Sequence, residues 1–345
     1  MAVFACARCG AVLTAEVSEV ALPAQAHDRY GHDLLPPLMP PGTYAVDPEP
    51  SGPPWRPWGD VDPDVAAARG VFAPVASLSF GRPGAVVIAP GEVRGTFMIP
   101  GRNGGYCLGL TGVDGPNMGC EGCGAALATR VDDCSYWQAV WFDPDAVRRR
   151  PSGATVSPVV AWEALAAEWP STPPIEQGGW WSPVWPAAVG AALAHLLAAS
   201  RGVSVAVPGG LVAEVFGGTL QSLLPSGPPV RKAVLAGPGL PSESADIALV
   251  PLHPQTGEAW QPGGGTAVVP VAADVWLHLA FHREPLPVPA TGGLPHGVLR
   301  DDPLPLHPAL PFQPSRRTLR HTLARLPAVR QPWLRALHDR LGEGP

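Results

Sequence analysis

Two twelve-residue stretches, CARCGAVLTAEV at 6–17 and CEGCGAALATRV at 120–131, are nearly the same sequence written twice. A Cys-x-x-Cys pair places two thiolates on one tight turn, and the glycine that follows suits a backbone with positive φ. The apolar residues behind the turn are typical of a strand that leaves it. Each stretch therefore predicts a turn and a strand that together deliver two metal ligands. The matching positions are Cys6/Cys120, Cys9/Cys123, Gly10/Gly124, Ala11/Ala125, Leu13/Leu127 and Val17/Val131.

The two pairs face each other in the simplest interpretation and supply one closed, tetrahedral Zn²⁺ site. Its ligands are Cys6, Cys9, Cys120 and Cys123. The CxxCG…CxxCG pattern resembles the zinc ribbon, and that resemblance implies a structural zinc on two knuckles. The separation of the pairs is much longer than in a ribbon, but the entropy of closing a loop grows only with the logarithm of its length. Four thiolates leave no open coordination position, so we predict a structural rather than a catalytic ion.

A second ligand set takes its histidines from the N-terminal region. His27 and His32 follow Cys6 and Cys9 as C-x2-C-x17-H-x4-H, although the gap between the pairs exceeds that of zinc fingers. Thiol–disulfide exchange and a site shared between two copies of the chain are further readings of two CxxC pairs. The redox reading is weaker, because strands follow both pairs where a thioredoxin-like motif has a βαβ context.

A third ligand set is local to the second knuckle. Cys107 and Cys134 flank Cys120 and Cys123 as C-x12-C-x2-C-x10-C, and this site could exist beside an N-terminal one. The plainer interpretation of Cys107 and Cys134 is that both are small, buried apolar residues, which is common for free cysteine.

Composition indicates a folded protein of two domains. The chain has 345 residues, of which 46% are hydrophobic and 15% charged, so it can form real cores. The six cysteines follow no basic and apolar leader, which favours reduced thiols in the cytoplasm and metal binding over disulfides. The longest apolar helix candidate, 185–200, is too short to span a bilayer, so we expect no membrane segment.

The predicted fold class is α+β, a small, mainly antiparallel zinc-ribbon-like β module followed by an α/β module. The β module spans 1–150 and is interrupted by a Pro-rich insertion at 36–63, where proline argues against both helix and inner strand. Strands alternate with helices in 151–345, which indicates the α/β layer arrangement. A Pro-rich linker at 285–314 leads to a basic C-terminal helix at 315–340.

The C-terminal helix offers a contact surface for a partner. From Arg316 onward the chain has seven arginines against Asp339 and Glu343, although its net charge is −6. Leu319 and Leu323 lie at helical spacing and predict a face that packs on the body, with the arginines in solvent. Those arginines could dock an acidic protein or a nucleic acid. The acidic body argues against an extended contact with DNA.

Signals for catalysis are weak. The chain contains no GxxxxGK[ST], GxGxxG, GxSxG or HExxH motif. An enzyme with its active site in the α/β half stays as the alternative. Its candidates are the Gly209–Gly210 turn, where a helix N-terminus can bind an anion, and His278 with His282 on one helix face. The acid pair Asp132–Asp133 is expected at a turn or solvent edge near the metal.

The stretch 93–142, with its CEGCG and DDCSYWQAVW segments, resembles a group of actinobacterial proteins that carry the same wording. The resemblance covers only this part of the first half. It implies a bacterial cytoplasmic protein and no particular reaction. Residues and resemblance together predict a structural zinc-binding protein that acts as a binding or scaffold protein.

Overall fold

A computed structural model describes residues 1–153, 158–282, 284–286, 296–297, 308 and 310–342. The chain divides into two compact units. The first comprises Met1–Val160 and Pro254–Gly257, and the second comprises Ala161–His253 and Glu258–Pro345. Helices and sheets are both well represented, which confirms the α+β class. Most of the linker expected at 285–314 lies outside the described residues.

The first unit is built on a seven-stranded sheet in the order β2-β3-β6-β10-β9-β8-β7. Its strands pair antiparallel except for β2 and β3, and β1 pairs with β11 and β4 with β5 in separate antiparallel ribbons. The strands are β1 (Ala2–Cys6), β2 (Ser18–Glu19), β3 (Thr43–Asp47), β4 (Trp55–Pro57), β5 (Ser77–Ser79), β6 (Ala85–Ile88), β7 (Thr96–Met98), β8 (Met118–Cys120), β9 (Ala126–Val131), β10 (Ala139–Phe142) and β11 (Val147–Pro151). The helical segments are α1 (Pro63–Ala68) and 3₁₀ turns at Trp58–Asp60 and Pro90–Glu92.

Both CxxCG stretches contribute to one hydrophobic core. Leu13 and Val17 of the first stretch and Leu127 of the second are buried in the same cluster, together with Cys6 and Cys120. Burying large aliphatic side chains is the main favourable term in folding such a unit. The apolar positions of the repeat therefore tie both hairpins to the same core.

The Pro-rich stretch 36–63 is not the loop that its proline content predicts. It contains β3 (Thr43–Asp47), which lies between β2 and β6 and is thus an inner strand. The five residues of β3 form a proline-free window between Pro41 and Pro48, so every amide donor needed for the sheet is present. Helix α1 begins at Pro63, because proline is well tolerated at the first helical position. We expected this stretch to contain no helix and no inner strand, and that expectation was wrong.

The second unit contains a four-stranded parallel sheet in the order β12-β13-β14-β15. Its strands are β12 (Ser204–Ala206), β13 (Val230–Leu235), β14 (Ile247–Leu252) and β15 (Ala267–Ala272). Its helices are α2 (Trp162–Glu168), α3 (Val184–Ser200), a π-helical turn (Ala213–Gly217), α4 (Gly218–Leu223), α5 (Ala273–Phe281), α6 (Arg316–Arg325), a 3₁₀ turn (Pro327–Arg330) and α7 (Pro332–Arg340). Helices α3 and α5 pack on β14 and β15. No helix in the described part of the chain is long and apolar enough to cross a membrane.

The basic segment predicted at 315–340 forms two helices, α6 and α7, with a 3₁₀ turn between them. Helix α6 packs on α3, with its leucine stripe buried. Helices α3 and α6 approach closely at Gly190, where a Cβ atom would lie 2.6 Å from the Ser315 carbonyl oxygen and 3.3 Å from the Leu319 amide nitrogen. Backbone atoms cannot swing aside as a side chain can. This contact therefore requires glycine.

We expect Gly190→Ala to destabilise the second unit by about 1–3 kcal/mol, because the added methyl group overpacks a backbone contact. Urea unfolding followed by circular dichroism measures the change. The matched control is Gly218→Ala, where a Cβ atom meets no described atom within 4 Å at the start of α4. That change is expected to be neutral or to stabilise by up to about 1 kcal/mol. Equal destabilisation by both changes would contradict the close approach.

Candidate metal centre

Each CxxCG stretch folds into the tip of a β-hairpin. In the first hairpin the Cys6 amide donates to the Ala11 carbonyl at 2.8 Å, and the Gly10 amide donates to the Cys6 carbonyl at 2.9 Å. The equivalent bonds of the Cys120 turn measure 2.9 and 2.8 Å. Both turns end on a glycine in the left-handed region, with φ of +79° at Gly10 and +71° at Gly124. The sequence repeat thus produces the same local structure twice.

The two hairpin tips bring four sulfur atoms together, and all lie within 4.8 Å of one another. The sulfurs of Cys6 and Cys123 are 3.7 Å apart, and those of Cys9 and Cys120 are 3.6 Å apart. A regular tetrahedron with zinc–sulfur bonds of about 2.3 Å has edges of about 3.8 Å. A disulfide bond, by contrast, measures about 2.05 Å, and all four cysteines are free thiols. The spacing is that of four ligands around one ion.

The thiols of the cluster differ in acidity. Burial by itself raises the pKa of Cys6, but the Cys9 and Arg8 amides, with the Cys123 side chain, outweigh it and lower the pKa to about 7. Burial raises the pKa of Cys120 to about 11, and its contact with the Cys9 sulfur adds to this. The Cys120 proton therefore stays in place at neutral pH unless a cation displaces it. A divalent cation stabilises the thiolate form of the whole group.

The cluster is closed by protein on its inner side. Cys6 and Cys120 are buried in the core, while Cys9 is exposed. The Arg150 guanidinium donates to the Gly10 carbonyl at 3.3 Å and covers the first turn. Four protein sulfurs occupy all four coordination positions of a tetrahedral ion, so a metal held here has no open position for a substrate.

His27 lies in a different part of the unit. Its Nε2 atom is 3.4 Å from Oδ2 of Asp47, and its ring lies 5.6 Å from that of Trp141. The ligand set in which His27 and His32 complete the first CxxC pair is therefore not formed.

Cys107 and Cys134 also lie outside the four-cysteine cluster. They meet His32 instead, and the three ligand atoms are within 4.8 Å of one another. The set that joins them to Cys120 and Cys123 is thus not formed. Cys134 is buried, but Cys107 is exposed, so the interpretation of both as buried apolar residues was wrong for Cys107.

Asp133 is an important residue whose role the sequence does not reveal. It was expected at a turn or solvent edge, yet it is buried. Burial alone would raise its pKa, but backbone amides that donate to its carboxylate hold the pKa well below its usual range. Its neighbour Asp132 forms an ion pair with Arg130 at 2.7 Å. The amides that donate to Asp133, at 2.7–3.2 Å, are those of Tyr106, Cys107, Leu108, Gly109 and Cys134.

The candidates in the second unit form a packed histidine pair and a turn. The rings of His278 and His282 stack at 4.1 Å, and that of His278 meets the Trp185 ring edge-on. Burial, and then the charge of His282, lower the pKa of His278 to about 4. At Gly209 and Gly210 a Cβ atom would meet no described atom within 4 Å. A stacked histidine pair in contact with a tryptophan ring fits a packing role.

No family model, curated protein or solved structure matches the chain. Similarity to a known protein therefore supplies neither a fold name nor an activity. The function has to follow from the geometry of the chain's own residues.

We expect Zn²⁺ binding to the four cysteines to release protons at pH 7, because Cys120, with its pKa near 11, must lose its proton to become a ligand. The apparent affinity then rises from pH 6 to pH 8, as protons compete less well. Calorimetric titration in two buffers of different ionisation enthalpy measures the release. The chain for this test has Cys107 and Cys134 replaced by serine, so that only this cluster titrates. A binding heat that is the same in both buffers would contradict the expectation.

Proposed function

We propose that the protein is a structural zinc protein, in which one Zn²⁺ ion joins two distant hairpins and stabilises a binding or scaffold surface. The ligands are Cys6, Cys9, Cys120 and Cys123. One observation carries this proposal: two hairpin tips of the same sequence and hydrogen bonding present four free sulfurs at the spacing of a tetrahedral ion.

The donor set favours zinc. Mg²⁺ and Ca²⁺ prefer oxygen ligands, whereas four thiolates in a tetrahedron are typical of zinc or iron. Zinc carries no redox chemistry and suits a site that only braces the fold. Elemental analysis of the purified protein distinguishes zinc from iron directly.

The position of the site supports a structural role. Strand β1 ends at Cys6 and belongs to the β1–β11 ribbon, whereas Cys120 ends β8 of the seven-stranded sheet. An ion held by both hairpins cross-links the ribbon to the sheet. Its binding free energy then adds to the stability of the first unit, since the unfolded chain has no preformed site.

We further propose that the exposed face of α6 binds an acidic partner. Leu319 and Leu323 are buried, whereas Arg316 and Arg317 are exposed on the same helix. Arginine in solvent attracts carboxylate and phosphate groups through charge-assisted hydrogen bonds. An acidic protein and a nucleic acid both carry such groups.

A reducing compartment is part of the proposal. All six cysteines are free thiols, and sulfurs this close would oxidise to disulfides in an oxidising compartment before they bound a metal. We therefore propose a cytoplasmic setting, as in the bacterial group that 93–142 resembles.

The test of the zinc proposal uses the chain in which Cys107 and Cys134 are serine. We expect this chain to bind one zinc per molecule, and to bind none when Cys9→Ser and Cys123→Ser are added. Inductively coupled plasma mass spectrometry measures the metal content after gel filtration. Chelation of the single zinc is expected to lower the unfolding temperature of the first unit, because the cross-link is lost.

Two results would overturn the zinc proposal. One is a chain that retains its zinc without Cys9 and Cys123. The other is a chain with all four cysteines that binds no zinc under reducing conditions. A chain that holds zinc but unfolds at the same temperature after chelation would refute the structural role alone.

The partner proposal is tested with immobilised heparin as a generic polyanion. We expect the full-length protein to be retained at low salt. Arg316→Glu with Arg317→Glu is expected to abolish retention, because the introduced carboxylates repel the sulfate groups of heparin. The matched control is Arg82→Glu with Arg94→Glu, which makes the same charge change in the first unit. Equal losses in both variants would show a general charge effect and contradict a site on α6.

A further inference from the structure

Three ligand atoms meet at a second place in the first unit, outside the four-cysteine cluster. They are the sulfurs of Cys107 and Cys134 and the Nε2 atom of His32, all within 4.8 Å of one another. The Cys107 sulfur lies 3.8 Å from Nε2 of His32. Ideal tetrahedral zinc, with bonds of about 2.3 Å to sulfur and about 2.0–2.1 Å to nitrogen, places these two atoms about 3.6 Å apart. The spacing fits one metal ion.

Asp133 fixes the positions of the two cysteines. Its Oδ1 atom accepts the amides of Cys107 and Cys134 at 2.8 and 2.7 Å, together with that of Leu108. Its Oδ2 atom accepts two further amides from the same loop. One buried carboxylate thus joins a loop and a turn that lie 26 residues apart. Since both oxygens are occupied by amides, Asp133 positions the ligands rather than serving as one.

Ser135 fixes the segment that carries His32. The Ser135 amide donates to the Asp33 carbonyl at 2.8 Å, and its hydroxyl donates to the Gly31 carbonyl. The Tyr30 amide donates in turn to the Ser135 carbonyl at 3.2 Å. Ser135 adopts φ of +71°, a conformation that is uncommon for any residue other than glycine. Such backbone strain persists where surrounding contacts hold it, and it concentrates at functional sites.

The site is open on one side. Cys134 is buried, while Cys107 and His32 are exposed, so the ligands converge from the protein and the remaining face meets solvent. Structural zinc sites fill all four positions with protein groups. Zinc with two cysteines, one histidine and a water is instead the arrangement of sites at which the ion acts on a ligand.

We propose that Cys107, Cys134 and His32 form a second zinc site whose fourth position is held by an exchangeable water. This position accepts small anionic ligands in place of the water. The bound water is more acidic than bulk water, because the ion stabilises hydroxide. The site is independent of the four-cysteine cluster, and either one can exist without the other.

The first test is metal content after zinc loading under a phosphine reductant. Wild type is expected to bind two zinc ions per chain. Cys107→Ser with Cys134→Ser is expected to bind one, and so is His32→Ala, which alters an exposed residue and leaves the core intact. A wild-type chain that binds no more zinc than the Cys107→Ser, Cys134→Ser chain overturns the proposal. So does a Cys107→Ser, Cys134→Ser chain that still binds two zinc ions.

The second test examines the open position with Co²⁺, whose visible absorption reports on its ligands. Azide is expected to change the spectrum of the Co²⁺-loaded wild-type chain. Azide is expected to leave the spectrum of the Co²⁺-loaded Cys107→Ser, Cys134→Ser chain unchanged, because only the closed four-sulfur site remains in that chain. Identical behaviour of the two chains overturns the open position.

The third test separates positioning from folding. Asp133→Asn removes the charge that holds five amides, and Ser135→Ala removes the hydroxyl bond to the Gly31 carbonyl, one of three bonds between Ser135 and the His32 segment. Each is expected to weaken Zn²⁺ binding at the second site by about 10–100-fold, as is usual when groups that orient ligands are lost. Occupancy of the four-cysteine site, measured in the same samples, is the folding control. Unchanged affinity in both variants contradicts the proposed positioning.

Discussion

The four sulfur atoms of the cysteine cluster lie within 4.8 Å of one another, and two of the four cysteines are buried. As thiolates these atoms repel one another, and burial keeps water from offsetting that repulsion. A divalent cation at the centre converts that repulsion into attraction. The hairpins, their glycine turns and the apolar residues behind them all serve to deliver these four atoms to one point. The architecture of the first unit depends on this convergence, because it joins the start of the chain to its middle.

The residues between the two knuckles are far more than an insertion in a small ribbon. Strands β2, β3, β6 and β7 of the seven-stranded sheet all come from that region. Both knuckles share one core with strands β3, β6 and β10, since Tyr44, Ile88 and Val140 lie in the same buried cluster. The long separation of the CxxC pairs therefore contains strands of the same sheet, and burial of their apolar residues offsets part of the entropy of closing the loop.

Local structure was predictable from the sequence, but the meeting of residues that lie far apart in the chain was not. The repeated CxxCG pattern indicates both hairpin tips, and helix α3 follows from the apolar helix candidate at 185–200. Strand β3 was missed because overall proline content hides a five-residue window with all its donors. The His32 cluster was missed because its ligands come from three loops, with 75 residues between His32 and Cys107, and no periodicity relates them. Asp133 gives no signal because its partners are backbone amides, which any sequence supplies.

The most direct measurement of the central claim is zinc K-edge X-ray absorption on the zinc-loaded chain in which Cys107 and Cys134 are serine. Convergence of the two hairpins on one ion requires four sulfur neighbours at about 2.3 Å and no lighter neighbours. Nitrogen or oxygen neighbours at about 2.0–2.2 Å would mean that the ion is bound elsewhere or by only one hairpin, and would contradict the account.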